Sequence, residues 1–281
     1  MTRSTKPNII GNEYFRMTTI VAILTLLISV LALLASTMGI FNQAIYNELL
    51  LTGAITKPLV FGSIVQDIIS IPASVLLIIL SIAFIRKHDR RMLIIILGLT
   101  AYFFYGYGLY TIQGQYTGIY FIYLAILGLS IYSLIFGIIG LVGNMNHVYL
   151  PKSICYSIVF FIAIILLVLI PAWIVRMTPD IISRAPGEIY GVFILDLSVV
   201  FPALAIIAFK VMRGDNKGYL LAGVALVKVF TLCLSVALGE WLKPIYGFPQ
   251  DMAMILIFSL LTVISAILSS LYFARIYFTN V

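Results

Sequence analysis

Charged side chains are scarce in this sequence. Asp, Glu, Lys and Arg make up 10% of its 281 residues, whereas hydrophobic residues make up 63%. Soluble domains carry about 25% charged residues, so this chain has too few charges to cover a water-soluble surface. The scarcity excludes an ordinary soluble domain, and the mean hydropathy of +1.16 agrees with that conclusion.

Cysteine and histidine are also scarce. The two cysteines, Cys155 and Cys233, have no C-x-x-C spacing, which excludes a thiol redox motif. Their different expected depths in a membrane argue against a disulfide between them. The histidines, His88 and His147, fall in predicted loops, so the predicted spans contain no paired histidines that could ligate haem. We therefore expect neither a bound metal nor a cofactor.

Motifs of several functional classes are missing. No HExxH or GxSxG motif is present, which argues against an intramembrane protease or a lipid hydrolase. The sequence has no glycine-rich phosphate loop, zinc-finger spacing or RNA-binding signature. The net charge of +7 is therefore interpreted as a topology signal, and no nucleic acid is expected as a partner. A non-enzyme is favoured over an enzyme.

Long apolar blocks take the place of these features. Each is long enough to cross roughly 30 Å of hydrocarbon at about 1.5 Å per helical residue. They predict an all-α, polytopic transmembrane bundle of about eight helices, and the connecting loops are too short to fold as separate domains. The blocks are residues 17–41, 61–85, 92–112, 117–143, 153–175, 188–209, 218–238 and 251–274.

The distribution of basic residues predicts the orientation of the bundle. With the N-terminus inside, twelve of the 17 Lys and Arg residues fall in inner segments and four in outer ones. This bias follows the positive-inside rule, so both termini are expected inside, in the plasma membrane of a bacterial-type cell. The inner residues are Arg3, Lys6, Arg16, Arg86, Lys87, Arg90, Arg91, Lys152, Lys210, Arg213, Lys217 and Arg275.

The two halves of the sequence resemble each other. The second and sixth predicted helices each carry an aspartate six or seven residues into the span and a proline five or six residues later, Asp67 with Pro72 and Asp196 with Pro202. A basic inner turn and another helix follow in each half. We therefore predict a tandem repeat of two four-helix units, residues 1–147 and 148–281, in the same orientation.

Three ionisable side chains lie within the predicted spans: Asp67, Asp196 and Lys228. Such residues cost about 2.5–3.5 kcal/mol each on insertion scales and frequently mark a functional site. Lys228 lies near the predicted midplane, and its long side chain can reach the depth of Asp196. We predict an ion pair between the two, which either serves function or only fixes helix packing, because desolvation offsets the attraction.

Asp67 has no lysine at the matching position. Its expected neighbours are Gln66 and two tyrosines of the third helix, Tyr102 and Tyr105, which can share a helix face. A carboxyl group buried without a cation is a candidate for proton exchange; the alternative is an ordinary carboxylate at a wet helix end. Four further tyrosines are predicted to form an interfacial aromatic belt: Tyr107, Tyr110, Tyr116 and Tyr120.

A local pattern in the second half resembles a group of known sequences. Leu195-Asp196-Leu197 is followed by Pro202, and Gly218-Tyr219 opens a predicted helix that contains Val227-Lys228. This pattern resembles uncharacterised polytopic, eight-helix membrane proteins of bacteria. The likeness covers mainly residues 60–110 and 190–240, and it implies no activity.

Three functions are compatible with these features. The first is the binding or transport of a small molecule through a polar cavity open toward the outer leaflet, linked to protons through Asp67. The second is an accessory or sensor subunit with a structural ion pair, acting through another membrane subunit or as a homodimer. The third is a membrane enzyme acting on lipid or quinone. The candidate site residues are Gln66, Asp67, Tyr102, Tyr105, Asp196 and Lys228.

Overall fold

The computed structural model describes residues 9–42, 44–53, 55–143 and 147–279, with side chains within residues 17–278. Arg3, Lys6 and the side chain of Arg16, which entered the predicted orientation, lie outside the described residues. Within the described part of the chain, eight helical segments are long and apolar enough to cross a membrane. The prediction of an all-α, multi-pass membrane protein is therefore confirmed.

Most of the spans are single helices. The sixth span is interrupted, because α7 and α8 are joined by a π turn at Asp196–Val200. A short helix, α2, lies in the segment between the first two spans, which the sequence analysis treated only as a loop. The helices are α1 (Ile9–Phe41), α2 (Ala44–Leu51), α3 (Lys57–Lys87), α4 (Arg90–Ile112), α5 (Tyr120–Gly143), α6 (Lys152–Ser183), α7 (Tyr190–Leu195), α8 (Phe201–Met212), α9 (Asn216–Leu242) and α10 (Met252–Arg275).

Helices α4 and α9 form the centre of the bundle. In each of them, 72% of the most apolar stretch is buried, against 28–39% in the other six spans. They pack against each other, with α3 and α5 on α4 and with α8 and α10 on α9. Gly98 permits their close approach, because a Cβ there would lie 2.5 Å from the Cβ of Val227. The α4–α9 contact therefore joins the two halves of the chain.

Two tight turns connect α3 to α4 and α8 to α9. An aspartate caps the second helix of each turn, as Asp89 accepts a hydrogen bond from the backbone N of Arg91 at 2.6 Å and Asp215 accepts one from that of Lys217 at 2.9 Å. Lys210 also donates to Asp215 at 2.9 Å. These hydrogen bonds, first that from Lys210, hold the pKa of Asp215 below its usual value.

Replacing Asp215 with Ala is expected to lower the free energy of unfolding by about 1 kcal/mol, mostly through the lost cap, since a half-exposed ion pair adds little. The folded pKa lies below the unfolded one, so this stabilisation is present above the unfolded pKa and is lost as pH falls through the folded pKa. Thermal unfolding of both proteins between about pH 7 and about pH 3 should show the difference in Tm narrowing toward low pH. A constant difference would contradict the assignment.

A two-stranded antiparallel ladder joins β1 (His147–Tyr149) to β2 (Tyr277–Thr279), with Val148 opposite Phe278. Strand β1 follows α5 and β2 follows α10, so the fourth and eighth spans end on the same side, as alternating spans require. The guanidinium Nη2 of Arg91 donates to the backbone oxygen of Ile276 at 2.8 Å. The ladder and the α3–α4 turn therefore lie together at one end of the bundle.

Candidate functional site

A cavity of about 410 Å³ lies at the opposite end of the bundle from the β ladder. It begins among Pro58, Gln115 and Lys243 and extends inward to Leu204 and Leu261, between helices of both halves. Its volume falls within the range of about 300–1,000 Å³ that is usual for small-molecule sites. The cavity is therefore the candidate functional site.

Four of the six predicted site residues line this cavity: Gln66, Tyr105, Asp196 and Lys228. Each belongs to a different span, since they lie on α3, on α4, at the π turn and on α9. The side chains of Asp196 and Lys228 are 5% and 7% exposed. The other two predicted residues, Asp67 and Tyr102, are not among the lining residues.

Backbone chemistry explains the position of Asp196. Pro202 follows in the next helix and has no N–H to donate, so the regular hydrogen-bond ladder cannot continue through it. The backbone N–H of Phe201 bonds to the carbonyl oxygen of Asp196, which makes a π turn. Such turns are rare and are frequent at functional sites. The π turn therefore begins at Asp196, where the sixth span borders the cavity.

The carboxylate of Asp196 has a partner that the sequence analysis missed. The indole Nε1 of Trp173, on α6, donates to Oδ2 of Asp196 at 2.7 Å. A buried tryptophan needs an acceptor for its N–H, and Trp173 is one of only two tryptophans in the chain. The rarity of tryptophan and the position of Trp173 within an apolar span were the sequence features that could have marked it as a candidate site residue.

Lys228 does not form the predicted ion pair with Asp196. Among the described residues, the salt bridges are Lys210–Asp215 and Lys243–Glu240. The ammonium Nζ of Lys228 instead lies 4.6 Å from the ring centroid of Tyr105 and, within the described part of the chain, has no hydrogen-bond partner. The prediction of direct pairing was wrong, because Trp173 occupies the carboxylate and the lysine side chain lies against the tyrosine face.

Asp67 lies in a separate cluster of hydroxyl groups between α2, α3 and α4. Tyr46, on α2, donates to its Oδ2 at 2.6 Å, and Tyr110 donates to its Oδ1 at 3.4 Å. Asp67 is 1% exposed. Gly39 on α1 makes room for this arrangement, since a Cβ there would overlap the Asp67 carboxylate. Tyr46 was missed by the sequence analysis because it lies in the segment that was not predicted to be helical.

The tyrosines of α4 divide between the two sites in an unexpected way. Tyr105 faces Lys228 rather than Asp67, and the hydroxyl of Tyr102 lies 3.4 Å from both Ser70 Oγ and the backbone oxygen of Gln66. Tyr107 and Tyr110 are 1% and 3% exposed, so their prediction as part of an interfacial belt was wrong. The reason is that α4 is central and largely buried among the other helices.

Tyr110 belongs to both sites. It is one of the residues that line the cavity, while its hydroxyl donates to the backbone oxygen of Ser63 at 2.9 Å and to Asp67 at 3.4 Å. Gln66, next to Asp67 in sequence, points to the cavity side and accepts a hydrogen bond from Ser235 at 3.4 Å. The cavity wall and the Asp67 cluster are therefore separated by one layer of side chains.

Most charged side chains at the mouth of the cavity have hydrogen-bond partners within the protein. Glu240 accepts hydrogen bonds from Lys243 Nζ at 2.6 Å and from the backbone N of Asp251 at 3.4 Å. Asp251 caps α10 by accepting from the backbone N of Ala253 and Met254 at 3.0 and 3.1 Å. The guanidinium of Arg176 lies 5.9 Å from the Trp173 ring centroid.

In the part of the chain that the structure describes, the cavity has no arrangement typical of metal chemistry. Within the described residues, no group of three or more His, Cys, Asp or Glu side chains is arranged to hold a metal ion. What defines the site is a mainly apolar cavity with a buried cation and a buried carboxylate. Fold and cavity together define a multi-pass helical membrane protein whose candidate functional site is this internal cavity.

Comparison with known proteins gives no closer relation. No family model, no curated protein and no solved structure matches the chain. The resemblance to uncharacterised bacterial eight-helix proteins therefore stays a prediction.

Proposed function

We propose that this membrane protein binds a small molecule in the cavity, as a binding protein or as a carrier. The supporting observation is that Asp196 and Lys228, both costly to place in a membrane, line the same cavity without neutralising each other by direct contact. A pair that served only helix packing would be in direct contact and closed off. The arrangement therefore favours ligand binding over the structural pair of an accessory subunit.

We also propose that the cavity opens to the outside of a bacterial-type plasma membrane. The opposite end of the bundle carries the basic turns, with Arg86, Lys87, Arg90 and Arg91 in one turn and Lys210, Arg213 and Lys217 in the other. By the positive-inside rule, that end is cytoplasmic. A ligand would then enter from the external medium or from the outer leaflet.

The tandem repeat remains part of this proposal, and two observations support it. Asp89 and Asp215 cap the third helix of each unit with nearly identical backbone angles, φ −74° and ψ 126° against φ −73° and ψ 124°. Gly98 and Val224 each follow their cap by nine residues, so they are equivalent positions of the two units. A Cβ at Gly98 would lie 3.0 Å from the backbone oxygen of Val224. Contact between equivalent positions is what a two-fold axis between the units produces.

Asp67 is proposed to provide the link to protons, through Tyr110. The supporting contact is the Tyr110 hydroxyl, which donates to Asp67 while Tyr110 is also one of the residues that line the cavity. A ligand in the cavity that shifts Tyr110 would alter this hydrogen bond to Asp67. Asp67→Asn, which cannot exchange a proton, should then abolish any pH dependence of ligand binding, whereas binding that ignores the substitution would remove Asp67 from the function.

The proposed function is tested by a thermal-shift ligand screen of the purified protein. Compounds that enter the cavity are expected to raise Tm by mass action. The variant Val236→Trp places an indole in the cavity wall, so it should abolish these stabilisations. Val263→Trp makes the same change at a position on α10 that is 55% exposed and should leave them intact.

Two outcomes of that screen would count against a binding function. One is that no compound raises the Tm of the native protein. The other is that every stabilising compound acts equally on Val236→Trp, which would place its binding outside the cavity.

A further inference from the structure

We propose that the ligand of this cavity is an amphipathic anion, with an apolar body and a carboxylate or phosphate head that contacts Lys228. This inference rests on the proposed binding function and adds the chemical class of the ligand. It follows from which polar groups on the cavity wall have partners within the protein and which do not.

The acidic groups on the wall are already engaged. Asp196 accepts the indole N–H of Trp173 at 2.7 Å, and Glu240 accepts from Lys243 at 2.6 Å. Asp251 is occupied in capping α10, with its Oδ1 3.0 Å from the backbone N of Ala253. Each of these carboxylates therefore already has a donor within the protein, and a ligand donor is not needed to satisfy it.

The groups without partners are donors. Lys228 Nζ and Gln66 Nε2 are buried and, among the described residues, hydrogen-bonded to nothing. Their side chains are 7% and 9% exposed, and both line the cavity. Leaving an ammonium group in a low-dielectric interior without acceptors is costly, and the face of Tyr105 offsets only part of that cost. A ligand that brings a negatively charged acceptor removes it, because charge-assisted hydrogen bonds are the strong ones.

The rest of the wall suits an apolar body. Leu169, Val200, Phe201, Leu204 and Leu261 contribute aliphatic and aromatic surface around the deep part of the cavity. Lys228 lies twelve residues before Glu240 on α9, which corresponds to about 18 Å along the helix axis. Arg176 adds a positive charge at the mouth, where it favours the approach of anions. An elongated molecule with its charged head at the deep end fits these features.

The test compares three eight-carbon probes that differ in their head groups: octanoate, octyl phosphate and octanamide. Equilibrium binding is measured with the native protein in nanodiscs of zwitterionic lipid. At least one anion is expected to bind about tenfold tighter than the neutral amide, the usual size of a charged hydrogen bond. The tighter of the two anions identifies the head as carboxylate or phosphate.

Variants assign the preference to Lys228. Lys228→Met should bind the anions no better than octanamide while retaining binding of the amide. Its retained binding of octanamide shows that the variant folds, and within the described residues the substitution breaks no hydrogen bond of Lys228 Nζ. Lys87→Met removes an exposed lysine at the opposite end of the bundle and should keep the full preference.

Three results would overturn this ligand class. The first is that the native protein shows no preference for the anions over octanamide, the second is that the preference survives in Lys228→Met, and the third is that none of the probes binds. If octanamide binds and Val236→Trp abolishes its binding, the proposed binding function still stands. The binding function fails only if the broader screen also finds no stabilisation that depends on the cavity.

Discussion

Replacing Gly98 with Ala is expected to destabilise the protein by about 2–3 kcal/mol, the usual cost of overpacking a core. The added methyl group would lie 2.5 Å from Val227 Cβ and 3.0 Å from the backbone oxygen of Val224. The second of these is a backbone atom and cannot rotate away, so α4 and α9 must separate. Because this contact joins the two halves of the chain, the loss should appear in the Tm of the whole bundle.

Two other glycines provide matched controls for this prediction. A Cβ at Gly137 would meet only the flexible side chain of Leu97, and a Cβ at Gly128 would meet nothing within 4 Å. Gly128→Ala should stabilise its helix by up to about 1 kcal/mol, the difference in helix propensity. From highest to lowest Tm, the expected order is Gly128→Ala, Gly137→Ala and Gly98→Ala. A Tm for Gly98→Ala as high as that of Gly128→Ala would show that α4 and α9 are not in close contact.

Replacing Asp67 with Ala is expected to cost about 3 kcal/mol and to release α2 from the bundle. The substitution removes the acceptor for the Tyr46 hydroxyl, which lies 2.6 Å from Asp67. An unsatisfied buried hydroxyl costs about 1–3 kcal/mol, and the lost side-chain volume adds to that. Tyr110 keeps its hydrogen bond to Ser63, so the damage should concentrate on α2. Thermal unfolding measures the loss, and hydrogen exchange of residues 44–51 reports the release.

A double-mutant cycle separates this hydrogen bond from a general packing effect. Tyr46→Phe removes only the hydroxyl and should cost about 1 kcal/mol. The double variant Asp67→Ala, Tyr46→Phe has no Tyr46 hydroxyl that could lack an acceptor. Its loss in free energy of unfolding should therefore be smaller than the sum of the two single losses. Strictly additive losses would mean that the two side chains act independently, contrary to the contact in the structure.

The location of the polar site could be anticipated only in part. Ionisable residues stand out in an apolar span, so Asp67, Asp196 and Lys228 were identified from sequence. Which side chains lie together was harder to predict, because this depends on how each helix is rotated about its axis. Helix α4 has no charged face to indicate its rotation. Tyr105 therefore turned out to face Lys228, and Tyr110, which was predicted to face the interface, turned out to contact Asp67.

The amino-acid sequence by itself determined that this chain is a membrane protein of eight helical spans. The reason is that apolar length and scarcity of charge are properties of each segment and need no knowledge of its neighbours. Only the tertiary structure decided that Asp67 and Asp196 belong to different environments and that Lys228 has no direct ionic partner among the described residues. Those features depend on contacts such as Tyr46 with Asp67 and Trp173 with Asp196, between residues distant in sequence that helix packing brings together.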